Sequence, residues 1–472
     1  MNIKTIGSYS FGPIISAALT LVSLPLTAYI FSQEDIGRFG LLQIISSLIV
    51  VIFSLGLDQA YVREYNEVDK RGRCSLFNAC ILPGLSLLLL FFVILFLFFE
   101  TYLKKIFEYN NYYLLFLLSS FVFVLFFERF FSVFLRMEEK PIAYSITRII
   151  PKLVLLILLF FVLWKKGTDD FITLSLVHII SWSAVVIVLF YFLRKIIKDG
   201  IKQKIEYEKI IKLSAFGIPL ILSSLAFWGL SYSDRIFITK YSTLSELGIY
   251  TMAVNIAAIS VLVQQVFSTI WQPMIYKWIA NGFDHEKLII IGNRMTVVAI
   301  VLMTLVGCFS WIIDDILPKN YSGINYIIVV CVMPSFLIVL SEITGIGISI
   351  KRKTIYLSFI TIMALVVNVI CNYNFVPLLG AKGAAISTVI AFYFFFLLKV
   401  LFSSWIWIKL PTVKISFSVF ILVITSIIFS LCGPEYQYLM YSVWLIPIFI
   451  SIIFFYDVYL DSYRYIISRF IK

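Results

Sequence analysis

Charge is scarce in this chain. Asp, Glu, Lys and Arg make up 14% of its 472 residues, against about a quarter in an ordinary soluble domain, and that excludes a soluble globular fold. Histidine is nearly missing. Only His178 and His285 occur, and His178, inside an apolar run, reads either as a hydrogen-bonded packing residue or as a proton relay. No G-x-x-x-x-G-K-S/T run is present, which argues against ATP hydrolysis by a phosphate loop within this chain, and neither H-E-x-x-H nor G-x-S-x-G occurs. The six cysteines, Cys74, Cys80, Cys308, Cys331, Cys371 and Cys432, lack C-x-x-C spacing, so they are expected to be small packing residues without a metal or a disulfide framework. No small-x-small cleavage site follows the first apolar run, which is therefore expected to be a retained helix. A non-enzymatic protein without metal or organic cofactor is the expectation.

What is abundant is apolar. Hydrophobic residues make up 61% of the chain, and runs long enough to cross a layer of roughly 30 Å as helices lie at 12–31, 39–57, 76–99, 112–133, 142–164, 171–192, 213–239, 247–268, 287–312, 325–348, 354–374, 382–403, 415–431 and 438–456. The last two are the shortest. With a cytoplasmic N-terminus, most of the 38 Lys and Arg fall at cytoplasmic span ends, leaving Arg38, Lys104, Lys105, Lys165, Lys166, Arg235, Lys240, Lys319 and Lys382 outside. Both termini are thus expected inside, and the net charge of +12 is explained by topology and anionic lipid headgroups without nucleic acid.

The chain also repeats itself. Phe11-Gly12-Pro13 opens an apolar stretch ending in Asp35-Ile36-Gly37-Arg38-Phe39, and Phe216-Gly217-Ile218-Pro219 opens another ending in Glu246-Leu247-Gly248-Ile249-Tyr250. Lys140, before Pro141-Ile142-Ala143-Tyr144-Ser145, is matched by Lys353 before Thr354-Ile355-Tyr356-Leu357-Ser358. An even number of spans separates the copies, so the repeat is parallel, as in transporters whose two bundles rock around a shared site. The expected fold class is an all-α polytopic membrane protein of about 14 transmembrane helices: two parallel six-helix lobes around a central cavity plus two C-terminal helices. The expected boundaries are an N-terminal lobe at 1–193, a basic cytoplasmic linker at 194–212, a C-terminal lobe at 213–404, and two extra helices with a cytoplasmic tail at 405–472.

Charged groups inside spans cost roughly 2.5–3.5 kcal/mol each at the centre, so they usually face water or a partner, except near ends where Lys and Arg snorkel. Asp234 and Arg235 lie well inside span 213–239. Neighbours on a helix point about 100° apart, so either each has a partner on another helix or one faces water between the lobes. Asp58 and Arg63, at the end of the second span, suit either a cytoplasmic mouth or a headgroup anchor with Tyr61 and Tyr65. Glu128 with Arg129, and Glu342, recur in the repeat register and read as gate partners or as ties to neighbouring basic loops. Arg148 and Lys152 share one helix face and suit an incoming phosphate or snorkelling, as does Arg294. Asn255, Gln264 and Gln265 are polar enough to hydrogen-bond sugars, with Trp228 and Trp271 as stacking surfaces.

On these residues a resemblance rests. FGIPLILSSLAFWGLSYSDRIFITKYSTLSELGIYTMA resembles the central signature of bacterial oligosaccharide flippases, the O-antigen and polysaccharide exporters of the multidrug/oligosaccharidyl-lipid/polysaccharide superfamily; NYNFVPLLGAKGAAISTVIAF, SQEDIGRFG and GLDQAYVREY are similar to other parts of it, over most of 7–403. The resemblance implies a V-shaped pair of lobes and alternating access, with transfer of an undecaprenyl-diphosphate-linked oligosaccharide, an O-antigen (lipopolysaccharide) or capsule repeat unit, to the outer leaflet of the bacterial inner membrane. It points to Asp58, Arg63, Asp234 and Arg235. Implied partners are the lipid-linked oligosaccharide, membrane lipids and other surface-polysaccharide assembly proteins, with H⁺ or Na⁺ as coupling ion. Lipid II flippases of the superfamily carry arginines in the first helix, whereas 12–31 has no charge. A cation-coupled multidrug exporter and a membrane glycan polymerase are the competing expectations.

Overall fold

The computed structural model describes residues 3–69, 72–98, 107, 113–138, 141–165, 170–201, 207–280, 285–461 and 464. Lys140, the connector residues Lys202 and Lys204, Lys104, Lys105, Lys166 and Asp284 lie outside them. The described residues form helices α1 (Ile3–Ile30), α2 (Gln33–Phe53), α3 (Leu57–Glu64), α4 (Gly72–Phe98), α5 (Tyr113–Met137), α6 (Pro141–Lys165), α7 (Phe171–Ile201) and α8 (Tyr207–Tyr241). They continue with α9 (Leu244–Ala280), α10 (His285–Cys308), α11 (Trp311–Ile316), α12 (Ile324–Thr344), α13 (Gly347–Ile350), α14 (Ile355–Ile406), α15 (Val413–Ser442) and α16 (Leu445–Phe454).

Twelve of these are long and apolar enough to cross a membrane. One of the twelve, α14, contains two of the expected spans: at Gly380 the backbone turns to φ 54° and ψ −128°, a conformation open to glycine, and helix resumes at once. The last expected span is a shorter apolar stretch, Tyr438–Phe454. Each of the fourteen apolar runs is thus mainly helical over its described residues, in a multi-pass all-α membrane protein. The second expected span differs in detail. It stops at Phe53, because Leu55 (φ 53°) and Gly56 (φ 64°) are left-handed, and Asp58 and Arg63 stand on the separate helix α3.

The repeated motifs have local causes. Ser32 accepts a bond from the Asp35 amide (3.1 Å) and donates to the Asp35 carboxylate (2.7 Å), capping α2. Thr243 caps α9 in the same way, accepting from the Glu246 amide at 3.2 Å. Glu246 then accepts the Ala381 amide (2.9 Å), just past the break at Gly380.

Two compact units divide inside α8, Met1–Gly229 and Leu230–Lys472. In the first, α1 lies along α6, and α5 touches α2 and α7. A stripe of Phe126, Phe130 and Phe134, four residues apart and all buried, fills the centre, with Phe134 4.1 Å from both the Tyr61 and Phe77 rings. Thr20 and Thr27, in the uncharged stretch 12–31, donate to backbone carbonyls one turn back, at 2.8 Å each, which satisfies their hydroxyls within the helix. Gly12 and Gly217, the glycines of the two F-G motifs, both lie against backbone: Gly12 on Ser145, and Gly217 on Leu55 and Gly56. In the second unit α12 is buried along most of its length and touches α9, α10, α14 and α15. The two extra helices belong to this packing, with the Phe429 ring 5.2 Å from Tyr326 and 5.6 Å from Trp444.

Candidate functional site

In the first unit the intramembrane charges pair in sequence. The left-handed corner after α2 turns Asp58 toward α5, where Arg129 donates through Nη2 at 2.9 Å and Nε at 3.1 Å. Two bonds from one guanidinium to one carboxylate oxygen make this a charge-assisted pair. Asp58 therefore pairs across helices and not with Arg63, which is more exposed, 3.8 Å from Glu64 and stacked 4.3 Å over the Phe216 ring. The adjacent Glu128 lies 3.8 Å from Arg148 of α6, so its tie is to the neighbouring span. Lys152, one turn further along α6, is half-buried. Just past the end of α3, Tyr65 donates to Glu138 at 2.8 Å while Arg73 stacks 4.0 Å over its ring. Burial, reinforced by the bond to Glu138, pushes the Tyr65 hydroxyl up to about 12, so it stays a proton donor at neutral pH. His178 of α7 shares its Nδ1 proton with the Leu174 carbonyl (3.0 Å) and stacks on Phe39 at 4.1 Å.

In the second unit a polar network is buried inside apolar helices. Asp234 of α8 accepts from the Tyr250 hydroxyl of α9, from the Thr388 hydroxyl of α14 (3.3 Å) and from the Arg235 amide (2.8 Å). Ser233 donates to Asn368 at 2.5 Å, and Asn372 donates to the same oxygen at 2.8 Å. Asn368 and Asn372 sit four apart on α14 and so share a face. Their fully buried position leaves the Asn372 carbonyl oxygen without a donor. Arg235 is 6% exposed, with no bond to its Nε, and lies 5.1 Å from the Tyr232 ring. No ion pair joins it to Asp234 among the described residues. The chain neighbours diverge, and the acid finds its partners on α9 and α14.

Glu342 of α12 accepts from Ser268 at 2.8 and 2.7 Å, while Lys399 of α14 donates to the adjoining Ser341 at 3.1 Å. Glu342 thus lies among groups of its own bundle. Arg129 in the first repeat and Glu342 in the second each bond to the chain near the end of their own half's second expected span, to Asp58 and to Ser268. Trp271, expected after span 247–268, lies within α9, which continues to Ala280; it is 1% exposed and donates to the Glu342 carbonyl at 3.3 Å, so no ring face is free for a sugar. Trp228 donates to Ser47 at 2.9 Å. Asn255 and Gln264 are half-buried on α9. Arg294 lies 3.5 Å from Asp461, beyond α16, away from the Asp234 network on the chain. Tyr250, Thr388, Asn368, Asn372 and Lys399 were not singled out by sequence; the two asparagines at i and i+4 in an apolar run were the signal available for them.

A family profile described as "Polysaccharide biosynthesis protein" matches residues 3–279. The chain belongs to that family. No curated protein matches it by sequence. Among solved structures its fold is similar to a lipid II flippase MurJ in an inward closed conformation, with TM-score 0.65 and 17% identity over 97% of this chain and 99% of that one. It is also similar to an inward-facing multidrug resistance MATE family transporter of the MOP superfamily, with TM-score 0.55 and 15% identity over 86% of this chain and 94% of that one. At these identities the likeness is one of fold.

In this member of the polysaccharide biosynthesis family, the Asp58–Arg129 pair is a test of how the first unit is held. Asp58 is 6% exposed, both Arg129 bonds go to its Oδ2, and its Oδ1 has no hydrogen-bond partner. Arg129→Gln is expected to destabilise the protein by about 3–5 kcal/mol, because a buried carboxylate loses its counter-charge, and Asp58→Asn in the same chain is expected to restore most of that. Thermal unfolding in detergent reads both; a double variant as unstable as the sum of the singles would refute the pairing.

Proposed function

We propose that this protein is a flippase that moves an undecaprenyl-diphosphate-linked oligosaccharide, an O-antigen or capsule repeat unit, from the cytoplasmic to the outer leaflet of the bacterial inner membrane by alternating access. The observation that carries the reading is the Asp234 network: hydroxyl, amide and carboxylate groups held deep inside spans of a chain from a polysaccharide biosynthesis family. A glycan with a diphosphate cannot cross hydrocarbon unaided, since each unpaired polar group there costs several kcal/mol. Polar side chains within the bundle lower that barrier, while the polyprenyl tail remains in lipid. No bond is made or broken in this process.

H⁺ or Na⁺ is the proposed coupling ion, taken up at Asp234. The Asp234 carboxylate, the donor-free Asn372 oxygen and the Thr388 hydroxyl supply the oxygens such a cation takes. In this reading both termini are cytoplasmic, and other surface-polysaccharide assembly proteins act before and after the transfer. The test is reconstitution in vesicles with a fluorescent lipid-linked glycan whose outer-leaflet pool is bleached chemically. Movement between leaflets that responds to a Na⁺ or H⁺ gradient is the expected result. Vesicles that leave the glycan in place under every gradient, but accumulate a cationic drug, would overturn it in favour of a drug exporter.

A further inference from the structure

Arg235 is a deeply buried cation with no acid bonded to it. It is 6% exposed, its Nε has no hydrogen-bond partner, and among the described residues no carboxylate forms an ion pair with it. The Tyr232 ring lies 5.1 Å from its guanidinium. Ser233, Asp234 and Ile238 beside it on α8 are buried as well, and Ile236, 44% exposed, marks the outer side of the helix. The side chain therefore stays among the helices of its own unit and does not reach a headgroup, as a cation near a span end would. A guanidinium keeps its proton in a protein, so burial does not neutralise it as it can an amine. Its charge is permanent, and it acts on groups of three helices: Asp234 of α8, Tyr250 of α9 and Cys331 of α12.

Two of those groups belong to the oxygen cluster around Asp234. That carboxylate meets the Tyr250 and Thr388 hydroxyls, and Asn372 adds an oxygen without a donor. One carboxylate with neutral oxygens suits Na⁺ and Ca²⁺ alike, since both are hard cations of similar size that take oxygen ligands. Charge separates them. Asp234 and Arg235 sum to zero, so Na⁺ adds a single uncompensated charge inside the bundle and Ca²⁺ adds two. Repulsion from the fixed guanidinium grows in proportion to the charge of the ion.

We propose that Arg235 sets the selectivity of this site: its charge refuses divalent cations and holds a monovalent one loosely enough to leave in each cycle. This role rests on the cation-coupled flippase reading above and deepens it, by naming the residue that keeps the coupling ion releasable. Arg235 is not a ligand; it acts through the field it places on the Asp234 oxygens.

Full-length protein in a non-ionic detergent would be unfolded thermally in choline chloride and again with Na⁺ or Ca²⁺ at matched ionic strength, with Asp234→Asn as the background. The wild type is expected to be stabilised by Na⁺ and, beyond that background, not by Ca²⁺. Arg235→Gln is expected to bind Na⁺ at least tenfold more tightly and, because the repulsion doubles with the charge, Ca²⁺ about a hundredfold more tightly, so that Ca²⁺ now raises its melting temperature. Arg235→Met, neutral and without an oxygen, is expected to shift both ions in the same way. A shift confined to Arg235→Gln would make the new amide a ligand and overturn the proposal. Neutral variants that keep the wild-type preference, whatever their melting temperatures, would overturn it too, as would a wild type stabilised equally by Ca²⁺ and Na⁺, a result that requires no variant to fold. Failure of Na⁺ to stabilise the wild type and both neutral variants would remove the cation site and this role together, leaving the flippase reading to the vesicle assay. Ion preferences that shift as expected, in protein that leaves the glycan in place in vesicles, would support Arg235 and remove the flippase reading alone.

Discussion

Asp234→Asn is expected to slow flipping of a lipid-linked glycan at least tenfold, about 1.4 kcal/mol on the barrier, in protein that still folds. The carboxylate is 3% exposed and accepts bonds from Tyr250, Thr388 and the Arg235 amide. Asparagine keeps the shape and one acceptor oxygen, but it removes the charge that would hold a cation. It also removes the anion next to Arg235, whose burial at 6% exposure then goes uncompensated, so a lowered melting temperature is expected alongside. Arg235→Gln added to Asp234→Asn neutralises both groups and is expected to return the melting temperature without returning transport. The wild type should respond to its coupling gradient and both variants should not. Wild-type rate and ion response in Asp234→Asn would remove the network from the mechanism.

The second large effect is structural. Gly56 is left-handed at φ 64°, and both it and Gly217 have backbone of the other where a Cβ would stand. Backbone cannot swing aside as a side-chain end can. Gly56→Ala, combining left-handed strain with overpacking, is expected to cost about 3 kcal/mol or more, and Gly217→Val to leave little monodisperse protein after detergent extraction. Gly292→Ala is the control, because its new methyl meets only the ends of Ile415 and Ile343 at 3.3 and 3.8 Å. Fluorescence-detected size exclusion with a melting ramp reads all three. Equal melting temperatures for Gly56→Ala and Gly292→Ala would show that this crossing contributes little.

Much of this fold is legible in the sequence because a membrane imposes a simple rule: every long apolar run must be a helix. The F-G and acid-x-G motifs are legible as a repeat, and the structure adds their cause, close backbone crossings at Gly12 and Gly217 and caps at Asp35 and Glu246. The break at Gly380 falls in the gap between the expected spans 354–374 and 382–403; what the sequence does not show is that helix continues right up to it on both sides. Side-chain partners were the least visible. Asp58 stands five residues from Arg63 in sequence but bonds to Arg129, because Leu55 and Gly56 turn α3 away from the line of α2, and a left-handed leucine has no sequence signature. Asp234 could be flagged as a buried acid, yet its partners Tyr250, on the next helix, and Thr388, on α14, each look like an ordinary polar residue in a greasy run. Trp271 illustrates the reverse: its indole reads in the sequence as a sugar platform, yet beside Glu342 it is 1% exposed, stacked on Phe267 at 5.7 Å and at right angles to Trp278 at 6.4 Å.

The most direct test is made in the cell that carries the gene. In a strain lacking it, the undecaprenyl-linked oligosaccharide should accumulate in complete form, and right-side-out spheroplasts treated with a membrane-impermeant glycosidase should leave that pool intact until the membrane is opened. A pool digested in sealed spheroplasts would place the glycan already outside, and transfer across the membrane would belong to another protein.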